Sequence, residues 1–391
     1  MKDIVIVGGT RTAIGAFGGT LRDVTANQFS PFIVDSVIRN TGIEKNMIDK
    51  VILGCCFEGV EHNVARVGLL KAGLPFETTA HQVVATCGSG MQAIMNGIQS
   101  ISDDDSSCVI AGGVESMSTA PFVLKTARWG MRFKHNECTD AVWKSMQEPP
   151  VGPGMGLTAE NLAEKYGISR EEQDVLALRS QQLAGRAIRE GRFQDEISPF
   201  PVPQRRGEPK MFDTDEHPKL DTTMEKLVAL PPAFKEGGTV TAGNSSGIND
   251  AAAALIIMTR EKAKELGLKP RARFASYAVA GVDPAYMGIG PVPATRKALK
   301  RAGWKLDDIE LIEINEAFAA QCIACERELG WNRDIVNVNG SGIALGHPVG
   351  CTGARIVVTL LYEMEKRNLH RGLATLCAGG GQGFAIIIER D

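Results

Sequence analysis

The sequence predicts an α/β fold built from two similar halves, with an extra lobe inserted into the first. Three observations carry that expectation. Short apolar runs alternate with helical patterns at both ends of the chain, segments near the start recur in order near the end, and the middle has a different composition. The length of 391 residues leaves room for two or three domains and a sizeable core.

Strands are expected at 4–7, 51–53, 109–111, 311–314, 335–338, 373–377 and 384–388, each a short run rich in Val, Ile or Leu. Helical patterns lie between them at 26–40, 91–101, 294–302 and 353–366. The repeat is read from three matches in register. Residues 49–54 correspond to 309–314, Ser89-Gly90 opening one helix to Thr352-Gly353 opening another, and 109–113 to 376–380. The middle contains Trp129, Trp143, a Pro- and Gly-rich stretch at 149–154 and a polar run at 204–209. Within it, Ser169-Arg170-Glu171-Glu172 reads as a capping box, followed by Val175, Leu176, Leu178 and Leu183 at helical spacing. The expected division is therefore 1–118 with 248–269 as one half, 119–247 as the inserted lobe over the site, and 270–391 as the other half.

Composition removes several classes of function. Lys plus Arg number 43 against 46 Asp plus Glu, a net charge of -3, which argues against a dedicated nucleic-acid binder. With 43% hydrophobic residues, wholesale disorder is excluded. The first apolar run is too short for a secretory signal, and no stretch approaches a membrane span. Nine irregularly spaced cysteines do not make a disulfide scaffold, so the expectation is a soluble, reduced, cytoplasmic protein in which thiols can be reagents. Glycine, at 43 residues, is in excess.

Four segments can carry chemistry. Cys87-Gly88-Ser89-Gly90 opens the helical pattern at 91–101. A thiol at a helix N-terminus meets the positive end of the dipole and free N–H groups, which favour the thiolate. On this segment alone, a small buried cysteine at a tight turn fits as well. His347, between Gly346 and Pro348, is held where an imidazole can be aimed as a base, although a lone histidine is more often structural. Cys377-Ala378-Gly379-Gly380-Gly381-Gln382-Gly383 ends a strand with accessible backbone N–H groups, suited to an oxyanion. Asn315, where a strand runs into a helix, can cap that helix or orient a water, and capping is the simpler expectation. Other signals are weaker. Cys322 and Cys325 have redox-motif spacing but lie mid-helix without a second pair, Cys55-Cys56 reads as packing, and Gly8-Gly9 lacks dinucleotide-fingerprint spacing.

Taken together these segments resemble the thiolase family over nearly the whole chain. The matching stretches are Arg11-Thr12-Ala13-Ile14-Gly15, Cys87–Gly90, Ala111-Gly112-Gly113-Val114-Glu115-Ser116-Met117-Ser118, Thr158-Ala159-Glu160-Asn161 and Gly238-Thr239-Val240-Thr241-Ala242-Gly243-Asn244. The second half adds residues 288–295, Asn315-Glu316-Ala317-Phe318, Gly346-His347-Pro348 and Cys377–Gly383. The resemblance implies a duplicated α/β/α layered core with a loop domain, and acyl transfer with coenzyme A as the carrier. Cys87 would be the nucleophile, His347 its activator and Cys377 the acid/base, with no metal or nucleotide redox cofactor. One oxyanion site would come from His347 and a water on Asn315, the other from the N–H groups of Cys87 and Gly379. Phe234, Ala242, Gly243, Ser246, Met287, Met155, Ala317 and Phe318 would line the coenzyme A path. A homodimer or homotetramer is implied, pairing at a sheet edge, and an accessory subunit is not readable.

Cys377 beside Gly379 separates the chain from decarboxylating ketosynthases, which the resemblance pairs with a Cys-His-His set. Two departures bear on substrate. Gly154-Met155-Gly156 stands where acetoacetyl-CoA-specific relatives show His-Met-Gly, pointing to a broader range of 3-oxoacyl-CoA. Ser341-Gly342 replaces a Gly-Ala pair. The aromatic and basic stretch 126–143 suggests that Trp129, Phe133 or Trp143 shapes a pocket for a bulky acyl group, or else packs the lobe or an oligomer contact. The expected activity is thiolytic cleavage of a 3-oxoacyl-CoA. The alternatives are an acetyl-CoA acetyltransferase and, further off, a silent scaffold subunit or a thiol oxidoreductase using Cys322 and Cys325.

Overall fold

The computed structural model describes residues 2–57, 59, 62–133 and 135–391. Nine strands form the main sheet: β1 (Ile4–Arg11), β2 (Lys50–Gly54), β3 (Thr79–Val83), β4 (Cys108–Ser116), β5 (Asn249–Thr259), β6 (Ala272–Gly281), β7 (Leu311–Ile314), β8 (Arg371–Ala378) and β9 (Gln382–Glu389). Their order is β7-β8-β9-β6-β1-β5-β4-β2-β3, with the two-residue strand Gly15–Ala16 added beside β5.

The duplication is visible as topology. In the first half β2 pairs in parallel with β3 and β4, and β4, β5 and β1 follow antiparallel. In the second, β7 pairs in parallel with β8, and β8, β9 and β6 follow antiparallel. The halves join where Val5 and Ile6 of β1 meet Arg273 and Ala272 of β6. The counterpart of β3 is reduced to a single parallel bridge between Ile312 and Val336. Residues 335–338, expected as a strand, therefore do not form one: a 3-10 turn over Arg333–Ile335 takes up the chain just before the bridge.

The principal helices are α1 (Ala26–Thr41), α2 (Ser89–Ser102), α3 (Met155–Tyr166), α4 (Arg170–Arg189), α5 (Pro291–Ala302), α6 (Ala319–Leu329) and α7 (Val349–Arg367). The expected capping box is present at α4. Ser169 Oγ accepts from Glu172 N at 3.1 Å, and Glu172 accepts from Ser169 N at 2.8 Å. Strand residues alternate between two cores, as a pleat requires. Ile4, Ile6, Leu255 and Ile257 face α2 and α7 in the central core, while Val5, Val7, Ile256 and Met258 face α1. In the second half Leu376, Ile386 and Ile388 join the central core, and Ala385 and Ile387 face α5 and α6. Two sheet halves thus enclose one helix pair and carry further helices outside.

The helix pair sets the position of the site. A Cβ on Gly90 would lie 2.9 Å from the Ala354 nitrogen and the Gly350 carbonyl, and one on Gly353 would lie 2.4 Å from the Met91 nitrogen. Backbone touches backbone here, so neither position has room for a side chain. The contacts fall in the first turn of α2 and the first two turns of α7, so the N-termini of these helices lie together. Gly353→Ala should destabilise the protein by about 3 kcal/mol in denaturant unfolding. An unchanged midpoint would show that the helices can separate without cost.

Candidate active site

Cys87 lies on the short segment between β3 and α2. Ser89, in the first turn of α2, holds that segment: its Oγ accepts from Ala85 N at 2.8 Å and donates to the Thr86 carbonyl at 2.6 Å. Thr86 is bent into the left-handed region, with φ 49°, a strained conformation for a β-branched residue. The bend turns Cys87 back toward the β8–β9 hairpin. That hairpin closes through Gly379, Gly380 and Gly381, and the last two both have φ 83°, which glycine adopts without penalty. The Gly379 backbone N–H reaches Cys87 and favours its thiolate.

His347 precedes α7, on the corresponding approach to the central helix of the second half. Gly346 has φ 100°, and a Cβ there would strike the Asn249 side chain at 2.4 Å. Asn249 fixes the loop by accepting from His347 N and donating to the Gly15 carbonyl, each at 2.9 Å. The imidazole Nδ1 lies 2.7 Å from Thr352 Oγ1, whereas Nε2 has no hydrogen-bond partner. Glu115 accepts from Gly350 N at 2.7 Å and from the nitrogens of Cys56 and Phe57, tying the first turn of α7 to the loop after β2.

Cys87, His347 and Cys377 face one cavity of about 350 Å³. Ten of the expected site residues line it: these three with Phe234, Ala242, Ser246, Met287, Met155, Ala317 and Phe318. Phe234 and Phe318 meet edge to face at 6.0 Å, and Ser246 N donates to the Ala317 carbonyl at 2.9 Å. Gly243 does not line the cavity; a Cβ there would meet Leu230 and Leu227 at 2.5 and 2.7 Å.

Asn315 lies behind the wall, fully buried, with neither side-chain polar atom hydrogen-bonded. It does not cap the helix, because α6 begins four residues later, at Ala319 after Phe318. Trp129, Phe133 and Trp143 also fall outside the cavity and stand exposed on the surface. Met146 and Gln147, from the short helix Ala141–Gln147, are the residues of that region that line it. Sequence reasoning passed over Met146, Gln147, Asn249, Glu115 and Thr352. Of these, Glu115 and Thr352 stood in stretches already singled out, Thr352 as part of the internal repeat. Cys322 and Cys325 are buried in α6 as core residues.

Burial controls the charge state. It pushes the Cys87 thiol up to about 11, although the N–H groups of Gly379 and Cys87 pull the other way. The helix N-terminus does not yield a free thiolate, contrary to the expectation from the sequence, because loss of solvent outweighs the donors. Burial, aided by the Arg355 cation, holds His347 down at about 3, and the Cys377 thiol is pushed well above its ordinary value. At rest the site holds neutral thiols beside a neutral imidazole.

Two thiols and an imidazole facing one apolar cavity, on a duplicated α/β core, are the equipment of acyl transfer between thioesters. The chain belongs to the thiolase family: the model of the thiolase N-terminal domain matches residues 4–261 and that of the thiolase C-terminal domain matches 268–390. It is 52% identical over 394 residues to the acetyl-CoA acetyltransferase of Syntrophomonas wolfei, covering 99% of each chain. The crystal structure of the Bacillus anthracis acetyl-CoA acetyltransferase superimposes with a TM-score of 0.98 at 50% identity, covering 100% of this chain and 99% of that one. Human mitochondrial 3-ketoacyl-CoA thiolase in complex with CoA gives 0.96 at 42% identity, covering 100% and 98%.

The neutral resting pair has a measurable consequence. Alkylation of Cys87 by iodoacetamide should climb about tenfold per pH unit from pH 8 to 10, because the thiolate fraction rises up to a pKa near 11. Levelling off near pH 8 would mean that the imidazole already holds the proton in the empty site.

Proposed function

We propose that the protein cleaves a 3-oxoacyl-CoA with coenzyme A to acetyl-CoA and a shortened acyl-CoA, reversibly as a Claisen condensation. The carrying observation is the convergence of Cys87, His347 and Cys377 on one apolar cavity. In this reading the Cys87 sulfur attacks the 3-oxo carbon as its proton passes to His347 Nε2. The bond between C2 and C3 then breaks, its electron pair goes to C2, and the Cys377 thiol gives that carbon a proton. Acetyl-CoA leaves, and the acyl group remains on Cys87. Coenzyme A enters, loses its proton to the Cys377 thiolate and takes the acyl group, and the imidazolium returns a proton to Cys87. His347 with a water on Asn315, and the N–H groups of Cys87 and Gly379, hold the transient oxyanions.

Residues 119–247 act as a cover over this chemistry, since Met146, Gln147, Met155, Phe234 and Ala242 bring that segment to the cavity. Subunits pair through the edge strand β3, which lies at the end of the sheet next to exposed Phe76 and Val84. None of the nine cysteines, all among the described residues, forms a disulfide, in keeping with a reducing, cytoplasmic setting.

A second reading, interconversion of two acetyl-CoA with acetoacetyl-CoA, is favoured by the naming of the bacterial relatives and by the methionines, Met146, Met155 and Met287, that crowd the cavity. Incubation with a panel of 3-oxoacyl-CoA thioesters and coenzyme A, followed by mass spectrometry, separates the two. The main reading expects cleavage of several chain lengths and an acyl adduct on Cys87. Turnover of acetoacetyl-CoA alone selects the second, and absence of any adduct overturns both. Cys87→Ala should abolish transfer, whereas the double change Cys322→Ala and Cys325→Ala should keep it.

A further inference from the structure

We infer that Thr352 is a positioning residue that fixes the tautomer of His347, placing the proton on Nδ1 and presenting the bare Nε2 lone pair to the cavity. The inference rests on the role proposed for His347 as the base, and it adds the reason that one nitrogen and not the other is available.

The argument is a count of protons in a closed space. Thr352 is fully buried in the first turn of α7, and its hydroxyl touches two groups. Oγ1 lies 2.9 Å from the Pro348 carbonyl, four residues back along the helix, and 2.7 Å from His347 Nδ1. A hydroxyl has one proton to give and lone pairs to receive with. The carbonyl can only accept. When the hydroxyl proton goes to Pro348, Oγ1 is free to accept, and Nδ1 must be the donor. Both bonds then form. In the other arrangement the hydroxyl donates to Nδ1, the bond to Pro348 is lost, and a proton sits on Nε2. One extra hydrogen bond at Thr352 biases the tautomers about fivefold to tenfold toward Nδ1–H.

The surroundings keep the ring neutral, so a single proton is shared between its nitrogens and the choice of tautomer matters. Burial and the Arg355 cation both oppose the imidazolium. The backbone is fixed as well: Asn249 Oδ1 holds His347 N, and Pro348 begins the helix. Thr352 is also the residue that the internal repeat aligns with Ser89. Ser89 bonds the backbone of Ala85 and Thr86, just before Cys87, so a hydroxyl in the first turn of each central helix holds the segment that carries the reactive residue.

The test uses the intact protein labelled with 15N-histidine, together with Thr352→Val, Thr352→Ser and His347→Ala. His347→Ala identifies the His347 signals among the six histidines. In the unsubstituted protein, Nδ1 of His347 should carry the proton and Nε2 should give the signal of an unprotonated ring nitrogen. Thr352→Val keeps the shape but cannot accept, and it should move the proton to Nε2. It should also lower kcat about 10- to 100-fold with KM little changed, less than the roughly 10⁴-fold loss when a charged orienting group is removed. Thr352→Ser should restore both the tautomer and kcat to within about threefold. An Nε2–H tautomer in the unsubstituted protein overturns the inference, whatever the variants do. So does a serine variant as impaired as the valine one. Failure of the underlying reading looks different: His347→Ala would retain turnover while the Nδ1–H tautomer remained.

Discussion

The contact on which the rest depends is the crossing of two central helices at Gly90 and Gly353. Because backbone meets backbone near the start of each helix, the residues that precede the helices are brought to the same place. Cys87 precedes Gly90 by three residues, and His347 precedes Gly353 by six. Neither is placed by its own side chain's preferences. A duplicated unit makes the arrangement economical, since each half contributes one helix of the central pair. The first copy supplies a thiol and the second an imidazole. Both helix N-termini face the cavity, so negative charge that develops there meets the positive ends of two dipoles.

That placement comes with burial, and burial decides the resting chemistry. The N–H groups around Cys87 favour the thiolate, yet loss of solvent outweighs them and leaves the thiol near 11. The same loss moves the imidazole in the opposite direction, and Arg355, packed in the core, adds to the effect. A site of this kind does not store a reactive anion when empty. Charge appears only when an acyl carbonyl is present to take it, which spares the thiolate from side reactions with water and oxidants. Two buried carboxylates follow the same rule. Glu115 is raised to about 7 by burial even though three backbone N–H groups hold it, and Glu316 is raised for the same reason.

Much of this was legible in the sequence, and what was not has physical causes. Strands rich in Val, Ile and Leu declared themselves, and the pattern at 311–314 matches β7 end to end. The long strand β5 did not, because four successive alanines, Ala251 to Ala254, carry no strand preference and both faces are buried, so no alternation shows. β6 alternates, but with small residues such as Ala272, Ser276 and Ala278. Cys87, His347 and Cys377 were readable because glycine and proline mark the turns that aim them. Asn249 was not, because its hydrogen bonds reach His347 and Gly15, both distant in sequence, and Thr352 showed only as part of the repeat, its contact with His347 being hidden within a helical turn. Tryptophan misled, since Trp129 and Trp143 drew attention by size and stand exposed, while Met146, next to Trp143 on the same short helix, reaches the cavity.

The two parts of the cavity wall are held by different means. Cys87, His347 and Cys377 stand on the paired helices and the hairpin of the core, where an added methyl group at Gly90 or Gly353 has nowhere to go. Met146, Gln147, Met155 and Phe234 come from the segment between β4 and β5, and Phe234 lies against Gly156, where a Cβ would fall 2.1 Å from its ring. Methionine is flexible and polarisable, so a wall of Met146, Met155 and Met287 can deform without moving the thiols. The reacting groups are thus held by tightly packed glycines, and the other part of the wall is made of adaptable side chains.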